Sequence, residues 1–480
     1  MMLQERVQIW LENEGKAARP FLPPFSKLLI AVSGGPDSLA LLHTLAAIFP
    51  PKSLVVVHLN HGWRAEAAEE AEFVQDTAVS LHIPCHIEKC DVISLARAEG
   101  LSLEEAGRKA RYNFFAQMAR QMGAKAIAVG HHADDQAETV LMHLLRGSGL
   151  AGLRGMLPVS RLPGAEDLWL VRPLLTTSRA EIEQYCREHN LDPVTDPTNE
   201  DTTYFRNRLR HELLPHLASY NPQIAQRLQY LATVTAADYA LIEQLTQEKW
   251  VAISKESGPD WLTLDKTGWQ ALPLSLRRSS LRQAVRQLRS DLRDVGFESI
   301  EQARLVVERG ATGQQATLPG GLLLTVGYDQ LTIAAGLEAV PDYLPQVIGE
   351  TAVSLPTPGQ VQLADDWILM AQIVENPDWN QVMRNPDPWQ AFVAAERPLF
   401  IRPRQPGEKM QPLGMNGQSN KLKEIMIDRK IPARLRANWP IVAVENHPVW
   451  LVGHLIDERV RVTAVSTPII HLQCYKMVDA

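Results

Sequence analysis

Residues 27–45, KLLIAVSGGPDSLALLHTL, constrain the fold more than any other stretch. An apolar run halts at a pair of glycines, and a pattern of helical period begins at once. Gly34 and Gly35 can adopt positive φ and present backbone N–H groups at a helix start. The positive end of the helix dipole then faces whatever the turn holds. A strand feeding a helix through such a turn predicts an anion cradle, with Ser33 and Ser38 as hydroxyl donors. Asp37 is the odd member. A carboxylate beside phosphates repels them unless Mg²⁺ lies between, so the turn predicts a phosphate ligand with Asp37 on the metal. The motif is neither a Walker A loop nor a G-x-G-x-x-G turn. A ligand-free strand–helix turn would not need this many polar groups together.

The alternation continues to about residue 175. The runs KLLIAVS, SLVVVHLNH, IPCHIEKCDV, AKAIAVGHH and LWLVRPLL read as strands, and residues 38–49, 64–82, 102–122 and 134–145 have helical period. Ser102 with Glu105, and Ser178 with Glu181, carry capping-box spacing. Strand and helix in strict turn predict an α/β fold, a doubly wound and mostly parallel sheet of Rossmann-like type. Strands apolar without alternation predict that both faces are covered. After about residue 207 a helical pattern runs to about 288, residues 317–333 read as a hairpin, and 338–385 are rich in proline and aspartate. A chain of 480 residues is too long for one ordinary domain. The expected division is a lead-in helix at 1–26, a catalytic domain at 27–215, and a mostly helical substrate-binding domain at 216–336. A linker with short strands at 337–396 and a small basic α+β domain at 397–480 complete it.

The four cysteines show no C-x-x-C spacing, which argues against zinc ribbons and disulfide frameworks. The N-terminus lacks an apolar signal core, and no stretch reaches the ~18 apolar residues of a membrane span. A cytoplasmic protein without a membrane partner is expected. A net charge of −7 argues only weakly against nucleic acid, because the distribution of charge decides.

AVGHHADDQAETVLMHLLRGSG begins at a strand end, where open α/β sheets bind ligands. His131, Asp134, Asp135 and Glu138 are spaced i, i+3, i+4 and i+7 and share one helix face. Val140, Leu141, Leu144 and Leu145 supply the apolar face. Carboxylates packed so tightly repel unless cations sit among them, and a metal and an amine substrate are the natural occupants.

SGGPDS resembles the pyrophosphate loop of the N-type ATP pyrophosphatases, the PP-loop superfamily, and HHADDQAETVLMHLLRGSG narrows the resemblance to the tRNA(Ile)-lysidine synthases. Further matching pieces follow in order: HLNHGWR, EEAGRKARYNFF, RPLL, DPTNEDTTYFRNRLR, LPLSLRRSSLRQAVRQL, then IRPRQPGEKMQPLG and KLKEIMIDRKIPARLR. The resemblance therefore spans nearly the whole chain. Trp63 departs from a leucine-like residue of the family, and GQSNKLK carries fewer lysines than its common pattern.

The resemblance implies a ligase. ATP adenylates the 2-oxygen of the first anticodon cytidine of an isoleucine tRNA with a CAU anticodon. Free L-lysine then displaces AMP and leaves lysidine. ATP is expected on Ser33, Gly34, Gly35, Pro36, Asp37 and Ser38, with Mg²⁺ on Asp37. Arg108, Arg111, Arg206 and Arg208 are candidate cations for the α-phosphate. Asp135 and Glu138 are the expected lysine site, with His131 orienting or accepting a proton. The catalytic set is then Asp37, Arg111, His131, Asp135, Glu138 and Arg206. Asp134 is an alternative helix cap, and His132 packs or points away. Residues 397–436 hold ten Lys and Arg against three Asp and Glu. Contacts to tRNA phosphates are expected from Arg402, Arg404, Lys421, Lys423, Arg429 and Lys430, together with Arg108 and Arg208. SLRRSSLRQAVRQLR adds five arginines. Three neighbouring readings stay open: a PP-loop tRNA thiolase, an amide-forming synthetase, and a non-catalytic tRNA-binding relative. A homodimer also stays open.

Overall fold

A computed structural model describes residues 3–477 except 25, 61–66, 195–200, 291, 293–294, 337–338, 341–343, 396–397, 416, 464–465 and 467. Trp63 with the rest of HGWR, the DPTNE motif piece and Arg397 lie outside the described residues. The chain divides into two units, Met1–Gln244 and Leu245–Ala480.

In the first unit α1 (Leu3–Glu12) leads into β1 (Lys27–Ala31), α2 (Pro36–Ile48), β2 (Leu54–Asn60), α3 (Ala67–Ser80) and β3 (Cys85–Lys89). Two helices, α4 (Val92–Glu99) and α5 (Leu103–Met122), precede β4 (Ala124–Ala128), and α6 (Ala133–Leu145) follows it. After α7 (Leu150–Leu153) come β5 (Val159–Leu162), β6 (Ala165–Val171) and α8 (Arg179–Glu188). The unit ends in α9 (Phe205–Arg208), a π-helical turn (Leu209–Leu213), α10 (Leu214–Tyr220) and the first part of α11 (Ile224–Ile253).

The sheet runs β3-β2-β1-β4-β6-β5, parallel throughout except for the β5–β6 pair. This is the doubly wound, mostly parallel sheet that the alternation predicts. β1 shows why its apolar run does not alternate. Leu28 and Ile30 enter one core with Trp10, Leu41 and Ile182, while Leu29 enters the opposite core with Val57, Phe115 and Ala119. Ser102 and Ser178 both cap their helices, each with its Glu three residues on completing the box. The chain leaves β1 toward β2 and returns past it to β4. The strand order therefore reverses between β1 and β4, and their carboxyl ends flank the crevice in which such sheets bind ligands.

The second unit differs from expectation in two places. The stretch whose pattern reads as mostly helical to about residue 288 contains a hairpin, β7 (Ser254–Ser257) and β8 (Trp261–Asp265), before α12 (Lys266–Ala271), α13 (Leu274–Leu288) and α14 (Phe297–Arg309). β8 is buried on both sides, so its run carries no alternation to separate it from helix. It pairs with β11 (Gln330–Ala334) in the antiparallel sheet β7-β8-β11-β10-β9, completed by β9 (Gln315–Leu318) and β10 (Leu322–Val326). Second, the expected linker at 337–396 supplies β12 (Val353–Leu355), β13 (Gly359–Gln362), β14 (Trp367–Val374), α15 (Trp379–Arg384) and β15 (Gln390–Ala394). These strands pair with later ones. β12 joins β16 (Leu399–Arg402), and β14 and β15 flank β22 (Ile469–Lys476). Between them lie β17 (Lys409–Met410), β18 (Asn420–Lys421), α16 (Leu422–Asp428), β19 (Ile441–Val444), β20 (His447–Leu451) and β21 (Leu455–Ile456). The sheets β12-β16-β19-β20-β21 and β13-β14-β22-β15 share one core through Ile401, Val442, Trp450, Leu369, Val393 and Leu472. No helix among the described residues is long and apolar enough to cross a membrane.

Candidate active site

The turn after β1 forms the cradle its sequence implies. Gly34 sits at φ +91°, a conformation that L side chains rarely adopt. The Ser38 hydroxyl ties the turn together: it donates to Gly35 O at 2.9 Å and accepts from Ser33 N at 3.1 Å. Gly35 caps α2 without a side chain, and Pro36 occupies the first helical position. The N–H groups of Gly34, Gly35, Asp37 and Ser38 find no partner among the described residues, so they remain available to an anion.

Asp37 is the strained member electrostatically. Its Oδ1 is buried and takes no hydrogen bond among the described residues. Burial pushes its carboxyl above the usual carboxylate range, and His132 only partly offsets this. An orphaned carboxylate oxygen beside free helix N–H groups fits a cation carried in by phosphates. No cluster of three or more His, Cys, Asp or Glu suited to a metal exists among the described residues. A single carboxylate is what Mg²⁺ takes when phosphates supply its other oxygens.

The turn after β4 meets this loop closely. A Cβ on Gly130 would lie 3.0 Å from Asp37 C and O and 3.1 Å from Ser38 N. Gly130→Ala is therefore expected to push the first turn of α2 by a few tenths of an ångström. Displacements of site geometry on this scale are expensive, and the expected cost is roughly tenfold in affinity for a phosphate ligand of the loop. Titration with inorganic pyrophosphate would check it; an unchanged affinity would mean the turn yields freely.

His132, read from sequence as packing or pointing away, links the two motifs. It is 1% exposed. Its Nδ1 accepts from the N–H groups of Asp134 at 3.2 Å and Asp135 at 3.4 Å, which makes it the N-cap of α6. The Asp135 carboxylate returns a bond from His132 N at 3.1 Å, completing a capping box. With Nδ1 accepting, Nε2 carries the proton. It sits 3.7 Å from Asp37 Oδ2 and 3.5 Å from Asp135 Oδ2, between the two motifs. Asp134 does not cap α6. It accepts from Arg179 N at 2.8 Å and so ties the start of α8 to the site.

Asp135 and Glu138 do lie side by side, and arginines already sit among them. Arg206 Nε donates to Glu138 Oε2 at 2.7 Å, and its Nη2 to Asp135 Oδ1 at 2.9 Å. Arg210 Nε donates to Glu138 Oε1 at 2.6 Å, and its Nη2 reaches Asp135 Oδ1 at 3.4 Å. Glu138 is 1% exposed. Burial alone would raise the Asp135 carboxyl, but His132 and then Arg206 hold it below the usual range. Arg206 belongs to this cluster rather than standing free for a phosphate. Arg210, unassigned from sequence, is its equal partner; the i, i+4 spacing from Arg206 was the available signal. Arg208 points elsewhere, its guanidinium over the Phe205 ring at 5.5 Å. Tyr204 and Phe205 are exposed beside it, and sequence reasoning had given them no role.

His131 does not have the chemistry of a base. Its Nδ1 accepts from Arg172 Nε at 3.3 Å, and burial followed by the Arg172 charge holds its pKa far below the ordinary histidine value. That bond takes up the Nδ1 lone pair, so of the two expected roles, orienting and proton-accepting, the geometry favours orienting. Arg108 and Arg111 are exposed on α5, and Arg108 lies over the Tyr112 ring at 5.3 Å.

In the second unit the basic run sorts into two groups. Arg402 is 3% exposed and paired with Glu408, so it supports the β16 end and cannot reach a phosphate. Arg404 is half-buried, and its Nε is buried without a partner among the described residues. Arg434 and Arg436 are engaged by backbone carbonyls. Lys421, Lys423, Arg429 and Lys430 are exposed around α16. The arginines of α13 largely pair internally: Arg277 with Glu308, Arg278 with Glu301, and Arg289, just past its end, with Asp260.

The PP-loop domain family model matches residues 4–217, and the TilS substrate C-terminal domain model matches 399–472. The chain is 35% identical to the tRNA(Ile)-lysidine synthase of Dehalococcoides mccartyi (strain CBDB1) over 473 residues, 96% of this chain and 97% of that protein. It is 36% identical to the tRNA(Ile)-lysidine synthase of Geobacter sulfurreducens (strain ATCC 51573 / DSM 12127 / PCA) over 450 residues, 92% of each chain. A solved structure described as a TILS C-terminal domain matches 27% of this chain and all of that chain, at 26% identity and a TM-score of 0.24.

Proposed function

The chain belongs to the tRNA(Ile)-lysidine synthase family, a family of ATP-using, tRNA-modifying ligases, and on that premise we propose how its residues divide the reaction. The 2-oxygen of the first anticodon cytidine of a CAU isoleucine tRNA attacks the α-phosphorus of ATP, and the bond to the β-phosphate breaks. The ε-ammonium of free L-lysine gives one proton to water, and the amine so formed attacks C2 of the base. The C2–O bond breaks, AMP leaves with the electron pair, and the attached nitrogen releases a second proton to water, which leaves lysidine.

One observation carries this reading: a proton-bearing His132 Nε2 stands between the Asp37 carboxylate of the phosphate loop and the Asp135 carboxylate of the acidic helix. The two halves of the reaction need a phosphate site and an amine site in contact. The N–H groups of Gly34, Gly35, Asp37 and Ser38 receive the departing pyrophosphate. Asp37 would hold Mg²⁺, which neutralises phosphate charge when bound. Asp135 and Glu138 receive the ammonium of lysine. Because Arg206 and Arg210 occupy these carboxylates, lysine enters by exchange: one guanidinium leaves as the ammonium arrives. Arg206, the more exposed of the two at 38% against 24%, is the one that leaves. It then turns to phosphate, a role assigned to Arg108 and Arg111 as well. Sulfur transfer finds no support, since burial pushes the Cys85 thiol up to about 11 and raises that of Cys90.

The deciding experiment measures pyrophosphate release with ATP and a CAU isoleucine tRNA, with and without lysine, followed by nucleoside mass analysis of the product. Pyrophosphate release that needs no tRNA, or a product without the added lysine mass, would sink the reading.

The tRNA-binding role is assigned to Lys421, Lys423, Arg429 and Lys430. Changing all four to glutamine is expected to weaken tRNA binding across sequences. It should also flatten the salt dependence by about one unit of slope for each phosphate no longer neutralised. ATP binding should hold. Arg402→Gln should instead lower thermal stability with the slope intact, because it breaks a buried pair. An unchanged slope in the fourfold variant would remove α16 from the tRNA path.

A further inference from the structure

We propose that Arg172 is a positioning residue: it fixes His131 as a neutral Nε2–H donor aimed at a substrate oxygen. The inference rests on the ligase reading above. Arg172 directly follows β6 and is 7% exposed. Its Nη1 donates to Leu157 O at 2.7 Å and to Ser160 Oγ at 3.0 Å, which pins the guanidinium against the entry to β5. With the fork held there, Nε is left facing His131 and donates to Nδ1 at 3.3 Å.

The direction of that bond has consequences. A guanidinium has no acceptor, so Nδ1 must offer its lone pair. In a neutral imidazole the proton then sits on Nε2. A second proton on Nδ1 would break the bond and place two cations in contact. Arg206 of α9 and Arg108 of α5 add positive charge from other directions, and Asp135 of α6 opposes them more weakly than burial and Arg172 combined. His131 lies at the carboxyl end of β4, directly before the His132 cap and four residues before Asp135. It therefore borders both the phosphate and the amine side of the crevice. The reaction offers such a donor two oxygens of the same acceptor chemistry, the cytosine 2-oxygen and an α-phosphate oxygen. A donor without charge polarises either one and, unlike a histidinium, does not repel the incoming ammonium. The motif RPLL then has a physical reason for its arginine.

The test uses the full chain labelled with ¹⁵N in histidine. Long-range ¹H–¹⁵N correlation reads the His131 tautomer, with the signal assigned by its loss in His131→Gln. The wild type should show the Nε2–H form with no titration through the neutral range. Arg172→Met should bring the His131 titration back toward the ordinary histidine range and lower turnover on the order of 10²-fold, the usual effect of losing one preorganised donor. Arg172→Lys, which keeps a charge and a donor, should recover part of that loss. Ser160→Ala removes one anchor and should shift His131 in the same direction by less, so the proposal stays decidable if Arg172→Met fails to fold. Two arms separate the oxygens. If His131→Gln weakens ATP binding without tRNA, the partner is the phosphate; if it spares ATP binding and slows tRNA-dependent pyrophosphate release, the partner is the base. A wild-type His131 protonated on Nδ1, or titrating near the ordinary value, overturns the proposal. So does an Arg172→Met or Ser160→Ala protein that loses turnover with the His131 signal unmoved.

Discussion

Asp37→Ala is expected to abolish tRNA-dependent pyrophosphate release, by about 10³-fold or more, while leaving the protein at least as stable as the wild type. The two halves of that expectation have one cause. Asp37 Oδ1 is buried without a hydrogen bond among the described residues, and burial is the largest influence on its carboxyl. In the absence of a cation this oxygen costs the fold free energy, since a buried, unpaired carboxylate loses its hydration and gains nothing in return. Such a cost is tolerated where function needs the group exposed to a charged ligand. Alanine removes the cost and the metal ligand together. Asp37→Asn separates charge from shape and should lose activity to a similar extent, because an amide neutralises no metal charge. Thermal melts beside ATP–pyrophosphate turnover check both halves. Near-normal turnover in either variant would refute the metal assignment. Lost turnover with a large drop in melting temperature would show that Asp37 serves the fold through His132 instead.

What sequence made legible follows from how local each signal is. The phosphate turn and the acidic helix are both contained in short segments whose glycines, prolines and carboxylates have few other reasons to coincide. Alternation predicts a doubly wound sheet but not its strand order, and it is the order β3-β2-β1-β4 that brings the ends of β1 and β4 to one crevice. His132 was illegible for a specific reason. N-cap templates look for Ser, Thr, Asp or Asn, and an imidazole doing that work leaves no familiar trace. Arg402 misled in the opposite direction. Counting charges from residue 397 to 436 cannot tell a lysine in water from an arginine buried against Glu408, six positions on. The hairpin at Ser254–Asp265 was lost because its second strand is buried and has no period of its own, while its first, SKES, is largely exposed and carries no apolar run. The acidic cluster was half legible. The need for cations among Asp135 and Glu138 was correct physics, but the chain supplies them itself from α9 and the π-helical turn after it, some seventy residues downstream. π-Helical turns of this kind are frequent at functional sites, and this one carries Arg210.

Glu138→Gln is expected to raise the lysine requirement roughly tenfold to a hundredfold while sparing adenylation, and the two resident arginines make the expectation sharper. Asp135 and Glu138 against Arg206 and Arg210 form a group of two negative and two positive charges, nearly neutral overall. Glutamine keeps the volume and one acceptor but leaves the group with a net positive charge, which repels an ammonium. It also leaves one of the two Nε–H donors, at 2.7 and 2.6 Å in the wild type, facing an amide N–H. A charge-assisted hydrogen bond of about 1.5–3 kcal/mol sets the size of the effect on lysine. The loss should fall on KM, because the charge that these carboxylates hold is that of bound lysine before its ε-ammonium gives up the proton that frees the lone pair. Arg206→Gln supplies the opposing sign. If lysine enters by displacing Arg206, removing that competitor should leave the lysine KM unchanged or lower it, while adenylation slows for want of a cation at the phosphate. Lysine titration of lysidine formation, run beside a trapped adenylated-tRNA assay, reads both quantities in both variants. If Glu138→Gln stops adenylation with lysine dependence flat, or if Arg206→Gln raises the lysine KM as Glu138→Gln does, then the arginines and carboxylates act as one fixed unit for ATP, and the exchange of cations does not occur.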